Sequence, residues 1–280
     1  MKLFITGGSG VIGRRAIPAF EALGHEVIAP RRHELDLFDA GAVTAAVRGC
    51  DVVINLATSV PSPPARALLP GAWRSMDRIR RDASRIIADA TRGSGSVHTL
   101  IQESFAPIYE SAGADWITEE SPVRAARYNR STLDAESNAL TFAGGKAIVL
   151  RFALFYGPHD SATEQLLESV RKGRFMMFGD PNNYFTYVHH DDAASAVVAA
   201  LTADGGIYNV AENEPLRRRD LAEGLARTLG VEPPKFLPRF ASKLAGSVGE
   251  TLSREQRISN AKLRTTGWTA RHDNMPYSVS

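Results

Sequence analysis

The stretch "TGGSGVIG" at 6–13 sets Gly7, Gly10 and Gly13 three residues apart, between an apolar run and an amphipathic one. Glycines at this spacing let the chain turn sharply. They also bring an anion close to the unpaired N–H groups of a helix start, where the helix dipole attracts negative charge. A pyrophosphate suits that arrangement, so Gly7, Ser9, Gly10, Val11, Ile12 and Gly13 are candidate dinucleotide contacts. The next apolar run ends "VIAPRR". An acidic residue there would take the ribose hydroxyls of NAD, whereas arginine suits a 2′-phosphate. Arg31, with Arg32 beside it, therefore favours NADP over NAD; the bland alternative is two surface arginines. Asp36 and Leu37 of "ELDLFD" are expected beside the adenine, and Leu56, Ala57 and Thr58 of "NLAT" at the cofactor edge.

Positioning these residues requires strands and helices in alternation. Apolar, β-branched runs at Lys2–Thr6, Glu26–Ala29, Asp51–Leu56, His98–Gln102 and Ala147–Phe152 read as strands. Helical patterns at Val11–Leu23, Trp73–Thr91 and Tyr128–Phe142 lie between them. The order implies an α/β fold, a doubly wound parallel sheet of the Rossmann type with helices on both faces. Beyond Gly157 the pattern loosens: helix at Leu166–Lys172, extended chain at Tyr184–Val188, helix at Asp191–Leu201, extended chain at Ile207–Val210 and helix at Asp220–Leu229. The expected division is a dinucleotide-binding domain from 1–157 plus 184–212, and a small substrate lobe from 158–183 plus 213–280. The proline-rich "SVPSPPARALLPGAW" at 59–73 is expected to loop over a cleft edge.

Bulk composition narrows the function classes. The 280 residues are 44% hydrophobic and 23% charged, with a net charge of +2 that gives no electrostatic case for nucleic acid. A single cysteine, Cys50, excludes an internal disulfide and fits a reducing, cytoplasmic compartment. The chain starts directly in an apolar strand without a charged leader, and no run nears the ~18 apolar residues of a membrane span.

Beyond the glycine loop, the chain resembles the extended short-chain dehydrogenase/reductase family, which includes nucleotide-sugar epimerases and dehydratases. The resemblance rests on "TGGSGVIG", "NLAT", "YNRSTLDAE", "LRFALFYGP" at 150–158, "YVHHDDAASA" at 187–196 and "GIYNVAENEPLRRRDLAEGLARTLG" at 206–230. It covers nearly the whole length and implies a nicotinamide cofactor, a small-molecule substrate and a homodimer. Tyr128 matches the family's catalytic tyrosine, but the lysine expected four residues on is Thr132. The usual serine or threonine falls on Phe105, with Ser104 as its neighbour, and the family's Asn-Gly-Thr region falls on Arg81-Asp82-Ala83. Phe152 is expected at the cofactor, and Phe105, Tyr109 and Leu154 at the substrate, with Tyr109 in the cleft wall. The resemblance makes His189-His190-Asp191-Asp192 a helix start rather than a metal site. Asp134 and Glu136 are expected as solvent-facing or capping charges, and Arg217-Arg218-Arg219 as a solvated helix start.

Loss of the lysine has a definite chemical consequence. A free tyrosine titrates near 10, and holding it ionised near neutrality without a cation costs roughly 4 kcal/mol, about a thousandfold in active species. An apolar Phe105 adds to that cost. Reactions that begin by taking a hydroxyl proton should suffer, whereas a neutral phenol can still donate one. The reading is an altered NADP-dependent reductase acting on a small, partly apolar substrate, with Tyr128 as proton donor and Ser104 as carbonyl-orienting partner. Two alternatives stay open: a non-redox isomerase or cyclase on the same fold, and a non-catalytic sensor of NADP redox state.

Overall fold

The apolar residues of the first strand alternate. Leu3 and Ile5 belong to one core cluster and Phe4 to another, so the strand is covered on both sides. The computed structural model describes residues 1–62, 64–69, 71–238, 240, 244–272 and 274–277. Its main sheet contains β1 (Lys2–Thr6), β2 (Glu26–Ile28), β3 (Val52–Asn55), β4 (Thr99–Phe105), β5 (Lys146–Phe152) and β6 (Gly206–Val210). Their spatial order is β2-β1-β3-β4-β5-β6 and every neighbouring pair is parallel.

Helices supply the crossovers that parallel strands require. In chain order they include α1 (Gly13–Ala22), α2 (Ala40–Val47), α3 (Arg74–Arg78), α4 (Ser84–Gly93), α5 (Ser131–Leu140), α6 (Ser161–Arg171), α7 (His190–Ala199), α8 (Arg218–Leu229) and α9 (Gly246–Ser253). Ala16 and Phe20 of α1 join Ala193, Ala196 and Val197 of α7 in one cluster; Val43 and Val47 of α2 join Ile87 of α4 and Ala139 of α5 in the other. Asp39 and Asp160 cap α2 and α6, accepting from the amides of Ala42 and Thr163.

Because β1 has β2 on one side and β3 on the other, the winding reverses there and leaves a crevice beyond the carboxyl ends of the strands. Those ends are cross-tied. Thr6 Oγ1 donates to Asn55 Oδ1 at 2.5 Å, Asn55 Nδ2 to Gln102 Oε1 at 2.8 Å, and Gln102 Nε2 to the Glu103 carbonyl at 2.8 Å.

Three expected elements come out differently near this crevice. Strand β4 continues past Gln102 to Phe105, because Glu103, Ser104 and Phe105 pair with Leu150, Arg151 and Phe152 of β5. The expected helix over Trp73–Thr91 is interrupted by a π-turn at Ile79–Ala83 between α3 and α4. Tyr128 precedes α5, in a 3₁₀ turn at Arg127–Asn129.

A smaller core of Tyr156, Leu167, Met177, Leu221, Leu225 and Met275 sits between α6 and α8. Short strands outside the main sheet serve it: Tyr187–His189 pairs parallel with Leu154–Tyr156, and Leu216–Arg217 antiparallel with Tyr184–Phe185. Arg218 is not part of a solvated helix start. It is buried, its guanidinium lies 4.1 Å over the Phe185 ring, and Nη2 donates to the Arg254 carbonyl at 2.7 Å. Burial pulls its pKa down to about 10. Among the described residues no helix is long and apolar enough to cross a membrane.

Candidate active site

Glycine is required at the end of β1. Gly7 has φ +73°, and a Cβ there would stand 2.4 Å from the Leu56 carbonyl oxygen. A Cβ on Gly13 would stand 2.5 Å from the Gly7 oxygen, so the turn can close onto α1 only without side chains. Gly10 N donates to the Gly7 carbonyl at 2.9 Å, and Ser9 and Gly10 are exposed at the helix start. Val11 and Ile12 are half-buried as the chain enters α1. This cradle fits a pyrophosphate. Leu56 and Ala57 are buried behind it and Thr58 is exposed at its rim. Arg31 and Arg32 are exposed beyond β2, where the Arg31 amide donates to Glu34 Oε2 at 2.6 Å. Asp36 is exposed and its Oδ1 accepts from the Phe38 amide, while Leu37 packs against the core.

Tyr128 has a part-exposed ring with an enclosed phenol. Its ring centroid lies 4.7 Å from that of Trp73, and Trp73 Nε1 in turn donates to the Ala67 carbonyl at 2.9 Å. Burial raises the phenol to about 12, against the smaller opposing effects of a Thr251 hydrogen bond and the charges of Arg80 and Arg254. Thr132 is fully buried with its hydroxyl unpartnered in the protein, and the same holds for the Ser131 hydroxyl. The turn at Pro64–Leu68, part of the expected 59–73 loop, packs on α9; Pro63 and Pro70 of that loop lie outside the described residues.

Ser104, expected beside the substrate, faces the interior. It is 0% exposed, and its hydroxyl donates to Glu136 Oε1 at 2.5 Å. Glu136 in turn is not solvent-facing: Arg151 Nε reaches its Oε1 at 2.8 Å and Arg151 Nη2 its Oε2 at 2.7 Å. Burial, the largest single effect, opposes the Arg151 charge, but the bonds and charges of Glu136 and Tyr109 together outweigh it and the guanidinium pKa rises. Tyr109 is likewise absent from any cleft wall. It is fully buried, accepts from Arg151 Nη1 at 2.8 Å and donates to Asn209 Oδ1 at 2.7 Å, and burial raises it to about 12. These groups form an internal brace between β4, α5, β5 and β6. Asp134, by contrast, is exposed as expected and pairs with Arg81 at 3.0 Å.

Phe105 is half-buried at the end of β4, opposite fully buried Phe152, and Leu154 is half-buried just beyond. Two polar residues that the sequence does not single out act on the Tyr128 phenol. Arg80, directed inward by the π-turn, is 4% exposed, and its Nη2 lies 3.0 Å from Oε1 of Glu103 at the end of β4. Thr251 of α9 is the other. A lone arginine within the apolar run "AIVLRF" signals a buried partner for Arg151; nothing local in "MDRIRRDAS" singles out Arg80.

One donor of each of His189, Asp191 and His272 lies within 4.8 Å of the others. The two imidazoles are stacked, with centroids 3.6 Å apart and planes 18° from parallel. An ion must lie near the plane of each ligating ring, so this stack suits packing rather than chelation. His189 caps α7 by accepting from the Asp191 amide, the structural role expected.

The family model described as NAD dependent epimerase/dehydratase family matches residues 3–211. The chain belongs to that family. A 3-diazoavenalumate denitrifying reductase of a Streptomyces species is 26% identical over 97% of each chain. A 2-alkyl-3-oxoalkanoate reductase of Stenotrophomonas maltophilia is 26% identical over 91% of this chain and 83% of its own. Among solved structures, the human epimerase family protein SDR39U1 with NADPH superposes with a TM-score of 0.85 at 19% identity, covering 99% of this chain and 97% of that one.

Proposed function

We propose that this family member is an NADP(H)-linked reductase of a small, partly apolar carbonyl compound, with Tyr128 giving the proton. The observation that carries the reading is the enclosed phenol, raised to about 12 by burial, beside a buried threonine where a lysine would stand. At pH 7 about one such phenol in 10⁵ is ionised, so Tyr128 is a donor and not an acceptor. Bound at the Gly7–Gly13 cradle, the cofactor would supply hydride; Arg31 and Arg32 would meet its 2′-phosphate, and Asp36, Leu37 and Leu56–Thr58 its adenosine side. Phe105, Leu154 and Trp73 give the substrate an apolar and aromatic enclosure. Leu68 and Leu69 are exposed at the end of the Pro64–Leu68 turn, which packs on α9. The two bacterial relatives are named as reductases of a diazoavenalumate and of a 2-alkyl-3-oxoalkanoate, which supports reduction of an organic acid.

The test is NADPH oxidation with a panel of alkyl and aryl ketones. Tyr128→Phe should lower the turnover of any active ketone by about 10²–10⁴-fold while cofactor affinity stays unchanged. Undiminished turnover in that variant would overturn the assignment. A second reading is favoured by the loss of the proton-removing pair: a hydride that replaces dinitrogen on an aryl diazonium carbon gives the arene and N₂, and no oxygen needs a proton. Turnover of a diazo acid that survives Tyr128→Phe, with every ketone inert, selects this second reading.

A further inference from the structure

We propose that Arg80 is the cation that takes the absent lysine's place at Tyr128, and that Glu103 holds and neutralises it, so that the pair keeps the phenol a giver of protons. The inference rests on the reading of Tyr128 as the proton donor and adds to it the residues that fix its direction.

The argument begins with the backbone. A π-turn widens the helix by one residue over Ile79–Ala83, a feature often found at functional sites. This segment packs against α5, the helix that would have carried the lysine. Neighbouring side chains take opposite routes from it. Arg81 runs outward to Asp134, half-exposed, whereas Arg80 runs inward and is buried against Glu103 at 3.0 Å. The guanidinium therefore reaches the crevice from the adjacent helix, not from α5. Around it, Arg80 Nε, Glu103 Oε2, Asn129 Oδ1, Ser131 Oγ and Thr132 Oγ1 are all buried without a protein partner. Orphaned polar atoms gathered on three packed segments mark a site where a ligand or solvent is met.

Charge balance then decides what the cation does. The groups facing the Tyr128 phenol are Arg80 from the π-turn, Arg254 and Thr251 from the C-terminal lobe, and neighbouring Asn129. Arg254 is compensated by Glu250 at 2.8 Å and by the carbonyls of Tyr109 and Arg124. Arg80 is compensated by Glu103. A lone ammonium would project its full field onto the phenol, but a buried ion pair acts as a dipole whose field falls off faster. What remains of the Arg80 and Arg254 fields is then outweighed by burial, and the proton stays on oxygen. Glu103 is thus the positioning residue that separates this site from one in which the tyrosine works as a base.

The test is the ultraviolet titration of Tyr128, read as the difference between each protein and its Tyr128→Phe counterpart. Glu103→Gln leaves the guanidinium uncompensated and should lower the Tyr128 pKa by about one unit or more, a tenfold gain in ionised fraction. Arg80→Lys added to Glu103→Gln should keep that shift, and Arg80→Gln added to it should abolish it. Glu250→Gln, a change at a half-exposed carboxylate, should move the titration much less. An unmoved titration in folded Glu103→Gln overturns the proposal. Where that variant does not fold, the near-isosteric neutral pair Arg80→Gln with Glu103→Gln decides instead: a mutually cancelling pair predicts a titration within about half a unit of the parent, and a larger shift overturns it. A titration that moves while no ketone is ever reduced sinks the proposed activity and leaves the pair's role standing.

Discussion

Replacing Ser104 with alanine separates a bracing role from a catalytic one. The hydroxyl is wholly enclosed and donates to Glu136 Oε1. A hydrogen bond to a charged group is worth about 1.5–3 kcal/mol. Here the acceptor keeps Arg151 Nε at 2.8 Å, so its charge stays satisfied and the loss falls at the lower end, about 2 kcal/mol. Unfolding entropy of ~2.1 cal/mol/K per residue over 280 residues converts this to a melting shift of about 3 °C. Urea unfolding and thermal melting of the holoprotein measure the loss, and turnover of the best ketone measures the activity. The expected result is a stability loss of that size with kcat within about threefold of the parent. Glu136→Leu is expected to cost more, about 3–5 kcal/mol, because it leaves the Arg151 guanidinium buried without its carboxylate. Unchanged stability in Ser104→Ala together with a hundredfold or greater fall in turnover would refute the reasoning and restore Ser104 as a substrate contact.

Other expectations follow from single sites. Gly13→Ala drives a Cβ to 2.5 Å from the Gly7 oxygen and should weaken NADP and NAD alike by tenfold or more on the order of the loop's distortion, read by fluorescence titration. Arg31→Asp should instead weaken NADP far more than NAD in the same titration; equal losses would remove the 2′-phosphate assignment. Glu212 is buried and its pKa is raised to about 8, chiefly by burial, despite the Tyr187 amide it accepts from. Its folded pKa lies above its unfolded one, so the stability it permits is complete below about pH 4 and is lost as pH rises through 8. Glu212→Gln should therefore flatten the pH dependence of unfolding, and the parent should lose on the order of 4 kcal/mol relative to it between pH 5 and 8.5. Parallel stability curves for the two proteins would contradict this.

Much of the scaffold could be read directly from the order of residues. The apolar alternation of Lys2–Thr6 and the run Val52–Asn55 mark buried parallel strands, and the glycine spacing locates the cradle. What stayed hidden were properties set by partners distant in the chain. Glu136 and Asp134 sit two apart on one helix and look alike, yet one faces β5 and the other solvent; only the position of Arg151 distinguishes them. Arg80 and Arg81 differ likewise through a π-turn, which has no residue signature of its own. Arg218 was hidden in a basic triplet because its partners, Phe185 and the Arg254 carbonyl, come from distant parts of the chain.

The side-chain ties running from Thr6 through Asn55 to Gln102 fasten the ends of three adjacent strands to one another. Such a floor is stiff, and its members cannot splay apart one at a time. No such side-chain tie is needed to join the 64–68 turn to α9, which meet instead through the rings of Trp73 and Tyr128 and the Thr251 hydroxyl.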